Sequence, residues 1–228
     1  MNKKDILKQI ETAKNPKNKN LIFGTSNKKL SSQGIISFDM TAIQTCPFAN
    51  DCKEYCYAEK IQKRYPNVAK KWAKNYEISQ SYNFVNIANE SLKALPNTKF
   101  VRVHSSGDFY NLEYAKKWVK IAKMNRNIVF YAYTKSQIFF KNLALPENFL
   151  IVQSLPMLKD VYFNPNLKVA QIFYSLEDYN NAIEYGNYIG AKDEDLEAVK
   201  AMILGKNIAL LDHSVKAKIN RESKKNNK

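Results

Sequence analysis

Six short apolar runs, at residues 35–41, 99–104, 128–134, 149–154, 169–175 and 207–212, set the rhythm of this chain. Each is of strand length and rich in Val, Ile, Phe or Tyr. Helix-like stretches separate most of them. Over 68–92, Trp72, Tyr76, Ile78, Tyr82, Val85 and Leu92 recur with a helical rhythm after a break at Pro66. Over 112–124, Leu112, Ala115, Val119 and Ala122 form one stripe behind Asn111, a residue suited to an N-cap. Residues 193–204 open on acidic side chains and stop before Gly205. Strands alternating with helices predict an α/β fold with a mostly parallel sheet, either a partial (β/α)6 barrel or an open sheet. The expected organisation is an N-terminal helix and linker over 1–20, one α/β domain over 21–215 and a basic, flexible tail over 216–228.

Each apolar run ends in polar residues. The first leads to Thr41 and then Thr45-Cys46. The second ends in His104-Ser105-Ser106-Gly107-Asp108, the third in Tyr133-Thr134-Lys135-Ser136 and the fourth in Gln153-Ser154. The fifth ends in Tyr174-Ser175 and the sixth in Asp212-His213-Ser214. In parallel α/β folds ligands bind at the carboxyl ends of the strands, so these clusters converge on one rim. Loops are polar in any case, so a single cluster of this kind is equally well a strand exit.

The three cysteines fall within eleven residues, in Cys46-Pro47-Phe48-Ala49-Asn50-Asp51-Cys52-Lys53-Glu54-Tyr55-Cys56. An odd, tight set is not a disulfide framework. Three readings of the C-x5-C-x3-C spacing stand side by side. The thiolates hold a [4Fe–4S] cluster with one iron open to a small molecule. Alternatively they hold zinc, with His104 or His213 as a fourth ligand. In the third they are buried free thiols that pack as small apolar groups.

The run Cys46-Pro47, Cys52, Tyr55-Cys56-Tyr57-Ala58, then His104 to Tyr110, then Phe130 to Ser136, resembles the phage gene product 88 family over about residues 35–215. More distantly the arrangement is similar to radical S-adenosylmethionine enzymes. There a three-cysteine loop after the first strand of a partial (β/α)6 barrel binds a [4Fe–4S] cluster, whose open iron chelates the cofactor. The resemblance implies Cys46, Cys52 and Cys56 as cluster ligands and S-adenosylmethionine as a candidate cofactor. It places Ser106-Gly107-Asp108 where that superfamily holds the cofactor's amino group. The superfamily's usual spacing is C-x3-C-x2-C, and this chain has six glycines and no glycine-rich segment for the adenine.

The candidate cofactor contacts on the rim are thus Ser106, Gly107, Asp108, Thr134 and Ser154. His104, Asp108 and Lys135 are the candidates for chemistry. His104 either reaches the open iron or ends its strand as a satisfied histidine. Asp108 either binds an amine or caps the next helix. Lys135 either meets an anion or lies along the surface.

Charge adds a second function class. The net charge is +15, from 36 basic and 21 acidic residues. Residues 1–20 hold six lysines against Asp5 and Glu11. Residues 216–228 hold Lys216, Lys218, Arg221, Lys224, Lys225 and Lys228 against Glu222. Basic ends of this kind either keep a chain in solution or dock it on nucleic acid. The competing expectation is therefore a non-enzymatic nucleic-acid or host-protein binder with a structural zinc. No apolar run approaches the ~20 residues of a membrane span. Nor does the N-terminus read as a secretory signal, so the expected location is the cytoplasm, that of the host if the chain is phage-encoded.

Overall fold

A computed structural model describes residues 22–155, 162–191, 195–212 and Val215. In chain order the elements are α1 (Lys28–Ser31), β1 (Ile35–Phe38), α2 (Tyr57–Arg64), α3 (Pro66–Gln80), α4 (Phe84–Lys93), β2 (Phe100–Val103), α5 (Leu112–Met124) and β3 (Val129–Thr134). There follow β4 (Phe149–Leu155), β5 (Lys168–Phe173), α6 (Leu176–Tyr185), β6 (Tyr188–Gly190), α7 (Asp195–Ile203) and β7 (Asn207–Leu211). Short 3-10 turns lie at Asn50–Lys53 and Gln137–Phe140.

The seven strands form one sheet in the order β1-β2-β3-β4-β5-β7-β6, and every strand pair is parallel. Gly24 adds an antiparallel bridge to Ser37 on the outer side of β1. The steps from β1 to β5 run in one direction, the order a (β/α) barrel also uses. The chain departs from that order at β6, which lies outermost, so that β7 returns between β5 and β6.

This reversal decides where α7 sits. Right-handed crossovers in one direction put their helices on one face, and a backward step puts its helix on the other. Accordingly α4 and α5 pack on Phe38, Val101, Val103, Phe130, Ala132 and Ile151. In contrast, α7 packs through Ala198, Val199 and Met202 on the opposite face, against Tyr131, Val152 and Ile208. The period-2 alternation along each strand supplies both sets. The second face is therefore filled over the middle of the sheet by tyrosines and by α7.

The six expected strands are all present, and β6 is a seventh of only three residues. The helical rhythm over 68–92 is two helices, because Ser81 leaves the helical region (ψ 144) and α4 restarts at Phe84. Asn111 caps α5 by accepting from the Tyr114 N–H at 2.8 Å. Gly205 (φ 62) follows α7, as a helix stop requires. The expected N-terminal helix and linker over 1–20, His213 and the basic segment 216–228 lie outside the described residues.

Candidate functional site

The cysteine loop begins where β1 ends. Cys46 follows a turn in which its N–H donates to the Ile43 carbonyl at 3.0 Å. Cys52 lies in the first 3-10 turn, and Cys56 immediately precedes α2. Two non-glycine residues of this loop, Ile43 (φ 64) and Asn50 (φ 43), have left-handed backbone. For a β-branched residue that is strained and persists only where surrounding bonds enforce it. Those bonds are present: Thr45 donates to the Thr41 carbonyl at 2.7 Å, and Gln62 accepts from the Ala42 N–H at 3.0 Å.

All three thiols are free and partly buried. Burial, then the nearby Asp108 carboxylate, then Cys56 and Cys52 push the Cys46 thiol up to about 12. Burial and Cys56 also raise Cys52, against the opposing charge of Lys135. The three sulfurs thus share one neighbourhood with Asp108 and Lys135. Among the described residues, no group of three or more His, Cys, Asp or Glu side chains forms a site for a metal ion.

The second loop, after β2, is bound tightly to the first. Met40 and Ser106 exchange two bonds: the Met40 N–H donates to the Ser106 carbonyl at 3.0 Å, and the Ser106 hydroxyl donates to the Met40 carbonyl at 2.8 Å. Asp39 accepts from the N–H groups of Ser105 and Ser106 at 2.6 and 3.2 Å and from the Ser37 hydroxyl at 2.7 Å. Gly107 (φ +86) packs so closely on the first loop that an added Cβ would meet Thr45 Oγ1 at 2.6 Å.

Asp108 ties in the third loop. Its Oδ1 accepts from Thr134 Oγ1 at 2.6 Å and from the Phe109 N–H at 2.7 Å; its Oδ2 accepts from the Lys135 N–H at 2.9 Å. Its own N–H donates to the Thr45 carbonyl at 3.2 Å. The cap of α5 is Asn111, so Asp108 joins rim loops instead of starting a helix. Burial raises its carboxyl to about 6, against the lowering effect of its donors.

His104 is turned away from the rim. Alternation along β2 would put position 104 on the face of Arg102. Its left-handed backbone (φ 71) carries the ring to the other face, among Phe38, Phe109, Tyr114 and Trp118. There Nε2 pairs with the Tyr114 hydroxyl at 2.9 Å. Burial holds the imidazole down to about 3, so it is neutral at any physiological pH. The ring therefore points away from where the zinc-ligand and open-iron roles would need it, and it sits as a strand-end histidine paired with Tyr114.

Lys135 is half-buried, donates to the Ser154 carbonyl at 3.2 Å and faces Cys52, Asp108 and Asp51. Burial lowers its pKa, and those three neighbours oppose the shift. Of the rim residues expected to contact a cofactor, Ser106, Gly107, Asp108 and Thr134 are brought together. Their polar groups are used to clasp the three loops. Ser154 joins them through Lys135. Phe48 of the cysteine loop packs on Phe139 of the third loop at 5.9 Å between ring centroids.

One participant, Asp39, was not foreseen, and Tyr57 of the cysteine-loop run makes contacts that its place in the sequence did not show. Asp39 directly follows β1, where a polar residue at a strand end was the available signal. Tyr57 donates to the Ser105 carbonyl and lies in electrostatic reach of Arg102, Asp39 and Cys56. Arg102 in turn pairs with Asp195 of α7 at 2.7 Å and stacks over Tyr133 at 5.3 Å, while Tyr131 donates to the same carboxylate at 3.1 Å. Only tertiary contact across 93 residues of chain reveals that network.

Fold and site together define a parallel α/β protein whose carboxyl rim is built on a three-cysteine turn. No helix among the described residues is long and apolar enough to cross a membrane. Residues 6–224 match the family described as Gene product 88, and the chain belongs to that family. No curated protein and no solved structure matches it.

Proposed function

We propose that the rim holds a [4Fe–4S] cluster through Cys46, Cys52 and Cys56, with one iron open to a small molecule. The observation that supports this reading is the shared neighbourhood of the three thiols on one partly exposed, strained loop at the end of β1. The donor set suits the group. Thiolates are the usual ligands of such clusters, and a thiol pushed to about 12 stays protonated near neutrality unless a cation takes the place of its proton. When bound, the cluster supplies one-electron transfer and a Lewis-acidic iron.

This chain's own residues would do the rest. Asp108 keeps the ends of β2 and β3 in register with the cysteine loop. Lys135 brings a positive charge beside Cys52, which favours its thiolate. Phe48 and Phe139 cover one side of the loop against water. S-adenosylmethionine is the ligand suggested by the sequence resemblance. Its expected contacts at 106–108 spend their polar groups inside the rim, so a different small molecule at the open position is an equal candidate.

The competing zinc reading needs a fourth ligand. His104 faces the aromatic core and pairs with Tyr114, which leaves His213 as the candidate from the sequence. The two readings separate on one preparation. Protein purified without oxygen should be brown, with broad absorption near ~400 nm and iron and sulfide in equal amounts. A colourless protein with one zinc overturns the cluster. Salt-dependent nucleic-acid binding that is lost on deleting 216–228 is the result the binder reading requires.

A further inference from the structure

The end of β2 requires a left-handed residue, and glycine would adopt φ 71 without strain. Histidine there carries backbone strain that glycine would not. Its ring then lies in a core of aromatic side chains, where one nitrogen meets a phenol and the other, Nδ1, has no hydrogen-bond partner. A residue needed only to fill this space would carry no polar atoms. The phenol it meets is also unusual. Tyr114 is 1% exposed, and its ring stacks on Tyr110 at 4.4 Å and 15° between planes. Tyr110 meets Tyr76 edge-on at 5.2 Å, and its hydroxyl bonds Ser79 Oγ at 2.9 Å. Tyr110 and Tyr76 are half-buried, so three oxidisable rings lead from the core towards the surface of α3. At the inner end, Tyr114 is in electrostatic reach of Asp108, which also faces Cys46 and Cys52.

We propose that Tyr114, Tyr110 and Tyr76 form a one-electron relay between the cysteine rim and the outer surface of α3, with His104 as the proton acceptor for Tyr114. The oxidant is a strong one-electron acceptor, an oxygen-derived radical met at either end of the relay. It takes one electron from Tyr114, and the phenolic proton passes to His104 Nε2 along the existing 2.9 Å bond. The products are a neutral tyrosyl radical and an imidazolium. An electron from Tyr110, refilled from Tyr76, returns Tyr114 to a phenol as His104 gives the proton back; the hole ends on half-buried Tyr76, whose phenolic proton passes to water and whose electron is replaced by a thiol reductant in solution. Close ring contacts carry the electron, and the neutral imidazole spares the buried Tyr114 from expelling its proton to water. At rest burial keeps both partners neutral, so the pair is idle until an oxidant arrives. The biological direction of the relay rests on the cluster reading above. The relay itself does not, because an external oxidant can drive it.

The test uses the full chain without added iron. Ruthenium(III) tris-bipyridine is generated by a laser flash, and the sample is freeze-quenched for electron paramagnetic resonance. The chain has fourteen tyrosines, and exposed ones such as Tyr82 and Tyr185 will give short-lived radicals in every sample. The relay predicts an additional slow-decaying neutral tyrosyl signal that forms more slowly in deuterium oxide. Tyr114→Phe should remove it. His104→Asn keeps an acceptor oxygen and a residue that tolerates left-handed backbone, and should reduce its yield several-fold while circular dichroism is unchanged. Tyr110→Phe keeps the stack and should slow its formation several-fold. An unchanged slow signal in Tyr114→Phe and Tyr110→Phe, or no slow signal in the parent chain, overturns the relay. An intact relay in a protein that binds no iron would leave the relay standing and remove the cluster.

Discussion

Thr134 donates its hydroxyl to Asp108 at 2.6 Å, joining the ends of β2 and β3 by a bond between two buried side chains. The same carboxylate takes the Lys135 N–H, and its backbone reaches Thr45 in the cysteine loop. Three loops that a parallel sheet would leave as separate excursions are held here as one rigid rim, which is what a multi-thiol ligand site requires.

Gly107 sits at the centre of that clasp. A methyl group there meets Thr45 Oγ1 at 2.6 Å and Met40 Cβ at 3.2 Å, on a backbone with φ +86. Gly107→Ala should cost about 2–3 kcal/mol, the strain of the left-handed region plus the displaced contact. Urea denaturation should show a lower midpoint with an unchanged slope. An unaffected midpoint would mean that the loops are not tightly packed against each other.

Two buried groups should give the stability a pH dependence of opposite signs. His104 falls from 6.5 to about 3 on folding, so the folded state favours the neutral ring. Its contribution is complete above pH 6.5 and is lost as pH falls towards 3. Asp108 rises from 3.8 to about 6, so the folded state favours the protonated acid. Its contribution is complete below pH 3.8 and is lost as pH rises through 6. Denaturant titrations from pH 4 to 7 should show His104→Asn losing less stability on acidification than the parent chain. Asp108→Asn should lose less on going from pH 4 to 7. Parallel curves for parent and variants would refute both assignments.

The amphipathic stripe of α5, its cap at Asn111 and the strand ends that carry the rim could all be read directly from residue order, because all three depend on local period and local chemistry. The orientation of His104 could not, because one backbone angle moves its ring to the other face of the sheet. Nor could the split of 68–92 into α3 and α4. The apolar period continues through Ser81, and what fixes the break includes Lys117, a residue far along the chain. The place of α7 depends on β6, three residues with no strand pattern of their own.

Lys117 Nζ donates to the carbonyls of Ser79, Gln80 and Ser81 at 2.9, 3.3 and 2.9 Å. These carbonyls close the end of α3, where a cation is favoured. Lys117→Met keeps the aliphatic stem and leaves the carbonyls to water. It should cost about 1–2 kcal/mol and speed hydrogen exchange at the α3–α4 junction without changing exchange in β1 to β3.

The Arg102–Asp195 pair fastens α7 to the face of the sheet that carries Tyr131. Asp195→Asn leaves a largely buried guanidinium without its counter-charge, a change that costs about 3–5 kcal/mol. The matched double change of Arg102 to Met with Asp195 to Leu should recover most of that loss in thermal denaturation. An Asp195→Asn chain as stable as the parent would show that α7 is held by its apolar face alone.

The most direct trial of the account is iron and labile sulfide measured per chain after oxygen-free reconstitution, in the parent protein and in Cys46→Ala, Cys52→Ala and Cys56→Ala. About four of each per parent chain are expected, with a clear loss in each variant. Parent protein free of iron and sulfide, or variants that retain the full complement, would contradict it.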